Sequence, residues 1–151
     1  MEQTFLMIKP DGVLRGLIGE IISRIENKGL KIVAMKMLHV DKKLASEHYE
    51  EHKNKDFYNS LIEYITCAPS VVMVLEGQDA VTITRNLLGA TNPKNANSGT
   101  IRGDFGMNIK NYMFNLVHAS DSIESADKEI NRFFNKKEIL KYKRLYETIL
   151  P

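Results

Sequence analysis

Cysteine is nearly absent from these 151 residues, with Cys67 alone. That excludes an internal disulfide and a multi-cysteine zinc site, agrees with a reducing compartment, and leaves Cys67 to be read as a buried small residue. Charge of one sign is also lacking. The 21 Lys and Arg against 19 Asp and Glu leave a net +2, and no basic run exceeds the pairs Lys42-Lys43 and Lys136-Lys137. Nucleic acid is therefore not an expected specific partner, and any positive field must be local. Long apolar runs are missing as well. Met1-Glu2-Gln3-Thr4 opens with an acid instead of a basic region, and the apolar run that follows meets Lys9 too soon for a signal peptide or a membrane span. The expectation is a cytoplasmic location with no membrane partner.

Two familiar catalytic patterns are absent too. Gly12-Val13-Leu14-Arg15-Gly16 lacks the Gly-Lys-Ser/Thr ending of a phosphate-binding P-loop, so side chains must hold any phosphate that binds. His48 and His52 share a helix face by their spacing of four, but Tyr49 stands where a zincin needs glutamate and no third ligand lies nearby. They are read as part of a solvated face, and no metal site of the protein's own is expected.

What is present is the composition of an ordinary globular chain, 43% hydrophobic and 26% charged, of a length that suits one domain over residues 1–151. Thr4-Phe5-Leu6-Met7-Ile8 reads as a buried strand stopped by a turn at Lys9-Pro10-Asp11-Gly12. Leu17, Ile18, Ile21, Ile22 and Ile25 line one face of an amphipathic helix, closed by a glycine cap at Gly29. Residues 30–40 form a second strand, with His39 inside it, suited to a local hydrogen bond. Asp41 caps a helix through His52, and Phe57, Leu61, Ile62 and Ile65 mark another to Cys67. Ser70 to Leu75 is a central strand buried on both faces. A helix opens at Asp79 and runs to Leu88.

Residues 89–106 then show no periodicity, with Pro93, three asparagines and four glycines. Loops of that length in compact domains are usually functional. Phe114 to His118 is the fourth strand. Asp121 or Ser122 caps a last helix, with Ile123, Ala126, Ile130, Phe133 and Phe134 on its apolar side. Strands alternating with helices in this way give an α/β sandwich on a sheet of about four strands, with a ferredoxin-like arrangement expected.

The chain turns on Asn115-Leu116-Val117-His118-Ala119-Ser120-Asp121-Ser122. A histidine ending a buried strand is held in one place, and the next helix starts beside it with free N–H groups that favour an anion. Lys9 at a strand end, Arg85 on the helix before the long loop and Arg102 within that loop are the cations on this side. Glycines flanking Arg102 allow close backbone approach to a ligand.

Four segments, Ile8-Lys9-Pro10-Asp11-Gly12, Gly89-Ala90-Thr91-Asn92-Pro93, Gly99-Thr100-Ile101-Arg102-Gly103-Asp104-Phe105 and the His118 stretch, together resemble the nucleoside diphosphate kinase family, in order and nearly end to end. The resemblance implies an α+β ferredoxin-like sandwich whose four-stranded antiparallel sheet is flanked by helices. It implies transfer of a γ-phosphoryl group from a nucleoside triphosphate to a nucleoside diphosphate, with a non-catalytic nucleotide-binding or regulatory role on the same fold as the alternative. His118 matches the phosphorylated histidine. Lys9, Tyr49, Phe57, Arg85, Thr91, Arg102 and Asn115 match nucleotide-binding positions, and Ser120 with Glu129 the groups supporting the histidine. Mg2+ would arrive on the nucleotide phosphates, and the assembly would be a homo-oligomer, a hexamer ahead of a tetramer.

Three departures stand out against that family. Ser98 replaces a common proline, which would loosen the long loop. The ending Leu145-Tyr146-Glu147-Thr148-Ile149-Leu150-Pro151 lacks tryptophan. The segment between Phe105 and Asn115 is about three residues longer, and its Tyr112 and Met113 are expected at a subunit contact.

Overall fold

The computed structural model describes residues 1–109 and 112–149, the side chains of Tyr112 and Met113 excepted. Strand β1 (Glu2–Ile8), a short helix α1 (Pro10–Leu14), helix α2 (Ile18–Asn27) and strand β2 (Lys31–Leu38) come first. Helices α3 (Lys42–His48) and α4 (Tyr58–Thr66) lead to β3 (Ser70–Gly77) and α5 (Ala80–Leu88). The long loop carries α6 (Ile101–Phe105). A small hairpin, β4 (Met107–Ile109) and β5 (Tyr112–Phe114), precedes β6 (Val117–Ala119), α7 (Ile123–Phe133) and α8 (Leu145–Ile149).

The main sheet has the order β2-β3-β1-β6, and every neighbouring pair is antiparallel. With helices between the strands, that order is the ferredoxin-like sandwich. Alternation along the two central strands decides the layers. Leu6, Ile8, Val71, Met73 and Leu75 face Ile21 and Ile25 of α2 and Ala80 and Leu88 of α5. Phe5, Met7, Val72 and Val74 face Ala45 of α3, Ile65 of α4 and Ala126, Ile130 and Phe133 of α7. A fully buried side chain of this size contributes about 1.5–3 kcal/mol, so a strand buried on both faces is strongly fixed in register. That register sets His118 opposite Met7, on the α3 and α7 side of the sheet.

Local chemistry explains several boundaries. Asp41 caps α3 by accepting from the N–H of Leu44, and Ser122 caps α7 by accepting from that of Ser125. Gly29 takes the positive φ expected of it, at 91°. Asp79 does not cap α5, since it sits in the left-handed region with no side-chain cap. Glu2 serves instead, its carboxylate accepting from the N–H of Val81 at 3.1 Å.

Other sequence expectations are corrected. Lys9-Pro10-Asp11-Gly12 is no plain turn: Lys9 is the extended N-cap of α1, whose first residue is Pro10, a position that needs no N–H and suits a fixed φ. The helix expected to reach His52 ends at His48 and continues as a 3-10 turn over Glu50–His52. His39 follows β2, with its Nε2 2.6 Å from the Thr66 carbonyl oxygen. Cys67 is exposed at the C-cap of α4. The long loop is well built, with a 3-10 turn at Pro93–Asn95 capped by Asn92 and α6 capped by Thr100.

The fourth strand is not continuous from Phe114 to His118. Phe114 belongs to β5, and the chain bends at Leu116, where φ is 68°. The N–H of Val117 donates to the carbonyl of Asn115 at 2.7 Å, which closes a three-residue γ-turn around Leu116. The longer segment after Phe105 is the β4–β5 hairpin, and the expected side-chain contact of Tyr112 and Met113 lies outside the described residues.

Candidate active site

An open cavity of about 810 Å³ lies beside β6, between α3, α4 and the long loop. Of the residues singled out in the sequence, Lys9, Tyr49, Phe57, Arg85, Thr91, Arg102, Asn115, His118 and Glu129 all line it. Ser120 is fully buried behind them.

His118 is held from two sides. Glu129, projecting from α7, places Oε2 3.0 Å from His118 Nε2 and accepts from the Ser120 hydroxyl at 2.7 Å with the same oxygen. A carboxylate can only accept, so Nε2 carries the proton and the imidazole lone pair is on Nδ1. On its other side the His118 ring meets the His48 ring edge-on, with centroids 4.6 Å apart. A fixed ring with an unprotonated nitrogen is a nucleophile with a set direction.

His48 is a residue that sequence reasoning misplaced. It is no part of a solvated face: it packs between Phe5, Tyr49, Phe133 and His118. Burial, with His118 and Arg132 adding to it, drives its ionisation down to about 2. Leu44 and Ala45, one helical turn earlier, carried the signal, because they put His48 on the inner edge of α3. Ligand atoms of His48, His118 and Glu129 lie within 4.8 Å of one another, a spacing that could hold a metal. All three are already engaged in hydrogen bonds in this structure. Arg132 donates to His48 Nδ1 at 3.4 Å, which places the His48 proton on Nε2, and Glu129 is committed to Ser120 and His118.

Cations collect at the other end of the cavity. Lys9 is 7% exposed at the end of β1, with Nζ 5.6 Å from the centre of the Tyr64 ring. Its burial lowers the ammonium to about 8, opposed by Asp11 and reinforced by Arg102. Arg102 spends three donors on carbonyl oxygens: Asn115 at 3.3 Å, Gly89 at 3.0 Å and Val117 at 2.7 Å. Two of its five N–H groups remain for a ligand. Burial, then the nearby Arg85, lowers its ionisation to about 10. Arg85 itself is exposed on α5, and Thr91 is exposed in the loop that follows it. Asn115 ties the strand to the loop by donating to the Thr91 carbonyl at 3.0 Å.

At the mouth, Phe57 presents a half-exposed ring, with His52 5.5 Å away and the Lys55 ammonium 5.7 Å from its centre. Tyr49 is buried, and its hydroxyl has no hydrogen bond among the described residues. Burial and then Glu129 push its ionisation upwards. Tyr64 and Asp121 also line the cavity; the sequence did not single out Tyr64, and offered Asp121 only as a possible helix cap, a place that Ser122 takes. Asp121 is held below the usual carboxylate range, first by its hydrogen bond with Ser125.

Comparison with known proteins agrees with this geometry. The family model described as nucleoside diphosphate kinase matches residues 2–139. The nucleoside diphosphate kinase of Pyrococcus furiosus is 58% identical over 142 residues, covering 94% of this chain and 88% of that relative. A crystal structure of a nucleoside diphosphate kinase family protein from Babesia bovis superposes over 100% of both chains, with a TM-score of 0.92 and 45% identity. A transition-state mimic of the nucleoside-diphosphate kinase of Borrelia burgdorferi, with bound vanadate and ADP, has a TM-score of 0.91 and 42% identity, covering 98% of this chain and 95% of the other.

Proposed function

The chain belongs to the nucleoside diphosphate kinase family, and from that premise we infer that it moves the γ-phosphoryl group of a nucleoside triphosphate to a nucleoside diphosphate through a phosphohistidine. The observation that carries the reading is His118 Nδ1, left as a lone-pair nitrogen by the Glu129 contact to Nε2 in a cavity whose lining includes the cations Lys9, Arg85 and Arg102.

In the first half-reaction the Nδ1 lone pair attacks the γ-phosphorus in line, an N–P bond forms, and the bond to the β,γ-bridging oxygen breaks. The nucleoside diphosphate leaves with that electron pair. In the second, a terminal oxygen of another diphosphate attacks the same phosphorus and the N–P bond breaks. Glu129 holds the Nε2 proton throughout, so the positive charge on the phosphorylated ring faces a carboxylate. The transferring group spreads charge over its equatorial oxygens, and positioning with cation clamps carries most of the catalysis. Arg85 and the remaining donors of Arg102 suit phosphate oxygens as planar forks. Thr91 adds a hydroxyl there, and Lys9 and Asn115 reach the sugar hydroxyls near the phosphates. Tyr49 offers its unused hydroxyl.

Magnesium, as the nucleotide complex, belongs to the substrate. A hard cation prefers oxygen ligands and keeps its waters. With Glu129 committed to the histidine, Asp121, three residues after His118 and lining the same cavity, would meet such an ion, which would neutralise phosphate charge. Phe57 stacks on any base, which favours broad base and sugar specificity with purines modestly preferred.

A purely binding role on this fold would follow from loss of the histidine or of a phosphate cation, and all are in place around one cavity. We read residues 1–151 as one cytoplasmic domain that assembles as a homo-oligomer, a hexamer in preference to a tetramer. Exposed Met35 and Met37 on the edge strand β2 support assembly. Among the described residues, no helix is long and apolar enough to cross a membrane. Incubation with γ-labelled nucleoside triphosphate alone should leave acid-labile, alkali-stable label on wild type and none on His118→Ala, with circular dichroism unchanged. Label or turnover persisting in that variant would refute the assignment.

A further inference from the structure

Asp11 stands in the Lys9-Pro10-Asp11-Gly12 motif, and the mechanism above gives it nothing to do. It is a carboxylate only 6% exposed. Its Oδ2 accepts from the backbone N–H of Leu116 at 3.1 Å, and its Oδ1 accepts from the Tyr64 hydroxyl. Leu116 is the buried leucine bent to a φ of 68°, a conformation that persists only where its surroundings over-determine it.

Those surroundings are all visible. The N–H of Lys9 donates to the Leu116 carbonyl at 2.8 Å, and Arg102 donates to the carbonyls of Asn115 and Val117. Asp11 takes the remaining polar group, the Leu116 N–H. The turn so pinned is flanked by Asn115 on one side and by Val117 and His118 on the other. Gly12 lets α1 come this close, since a Cβ there would lie 2.7 Å from the Ile8 side chain and 3.3 Å from the Leu116 oxygen.

Asp11 also acts on Lys9. The groups that face that ammonium are Asp11 from α1, the Tyr64 ring from α4, Arg102 from α6 and, more weakly, His48 from α3. Asp11 is the anion among them. Burial and Arg102 work against the charged lysine, and Asp11 works for it.

We propose that Asp11 is a positioning residue for phosphoryl transfer, holding the strained turn before His118 and the ammonium of Lys9, with Tyr64 as the arm that fixes its carboxylate. The proposal rests on the phosphotransfer reading. Two near-isosteric variants separate its parts. Asp11→Asn can still accept from Leu116 and can donate to the Tyr64 oxygen, so it removes chiefly the charge. Tyr64→Phe keeps the charge and removes the arm.

The test measures phosphorylation of the whole protein by ATP in a rapid-quench instrument, across pH, with melting temperatures in parallel. Asp11→Asn should slow the first half-reaction on the order of 10- to 100-fold, because small misplacements of reacting groups cost that much. It should also move the alkaline limb of kcat/KM to lower pH by about one unit, the effect of losing a close opposite charge. Tyr64→Phe should slow the same step by roughly three- to tenfold with the alkaline limb unmoved, and the two changes should be non-additive. Wild-type rates and limb in both variants would overturn the proposal. So would a lower melting temperature with full turnover in the folded fraction, which is what a merely structural role gives. NMR titration of the Lys9 ammonium, without nucleotide, should show the same downward shift in Asp11→Asn. An unlabelled wild type would defeat the phosphotransfer reading, whereas an unmoved Lys9 titration would defeat the role of Asp11.

Discussion

Replacing Glu129 by glutamine asks one question of the site, namely what the negative charge behind His118 is worth. The amide is isosteric, and its carbonyl oxygen can accept from both Ser120 and His118 Nε2, as Oε2 does at 2.7 and 3.0 Å. Orientation and tautomer are therefore kept. What disappears is the charge that stabilises the ring as Nδ1 becomes bonded to phosphorus. The Glu129 side chain is 13% exposed and that of His118 26%, so water screens the pair only partly. Hydrogen bonds to a charged partner contribute about 1.5–3 kcal/mol, against about 0.5–1.5 for neutral ones. The difference of about 1–2 kcal/mol, felt in the transition state, corresponds to a rate lower by roughly 5- to 30-fold. Glu129→Ala removes orientation as well and should cost a further factor of about 10 or more. The assay is single-turnover phosphorylation by saturating ATP, with melting temperature as the control for folding. A glutamine variant within twofold of wild type would show that the carboxylate serves position alone, and a glutamine variant as slow as the alanine one would show that the amide cannot hold the tautomer.

The remaining predictions concern the two ends of the cavity. Lys9, lowered to about 8, is proposed to bind substrate as the ammonium, so kcat/KM should fall as pH rises through about 8; a profile flat to pH 10 would remove Lys9 from substrate binding. The limb in kcat should lie at higher pH, because a bound polyphosphate favours the charged lysine. Phe57→Ala should raise KM about tenfold for every base, with kcat nearly unchanged, since one stacked face of a half-exposed ring is lost; an effect confined to one base would mean that Phe57 reads identity.

How much of this was legible in the sequence follows from where each signal resides. The strands around Phe5–Ile8 and Val71–Leu75 were, because apolar residues buried on both faces leave an unbroken run, and the sheet followed from their alternation with helices. Six of the ten candidate site residues, Lys9, Thr91, Arg102, Asn115, His118 and Ser120, lie within the four motifs, and the cavity gathers all ten but Ser120, which is buried behind it. His48 was misjudged because Leu44 and Ala45 mark only the inner edge of α3, while the depth of its burial comes from Phe133 of α7 and Phe5 of β1 packing against it. Asp11 and Tyr64 are 53 residues apart, and nothing local joins them. Least legible was Leu116, since a leucine with positive φ contradicts its own preference and is set by Asp11, Lys9 and Arg102 from outside.

That conflict can be weighed by Leu116→Gly. Glycine relieves a left-handed conformation that costs an L-residue roughly 1–2 kcal/mol, although a freer unfolded chain takes back about 0.5–1 of it. Against that gain stands the loss of a fully buried leucine from the cluster of Ile8, Ile21 and Val117, and truncating such a side chain to alanine alone costs about 2–5 kcal/mol. The cavity term is the larger, so Leu116→Gly should be less stable than wild type by about 1–4 kcal/mol in urea unfolding. Its turnover should fall as well, because the turn before His118 loses the packing that holds it. A glycine variant as stable as wild type would mean that the strain at Leu116 outweighs its packing, and that the turn is held by Asp11, Lys9 and Arg102 alone.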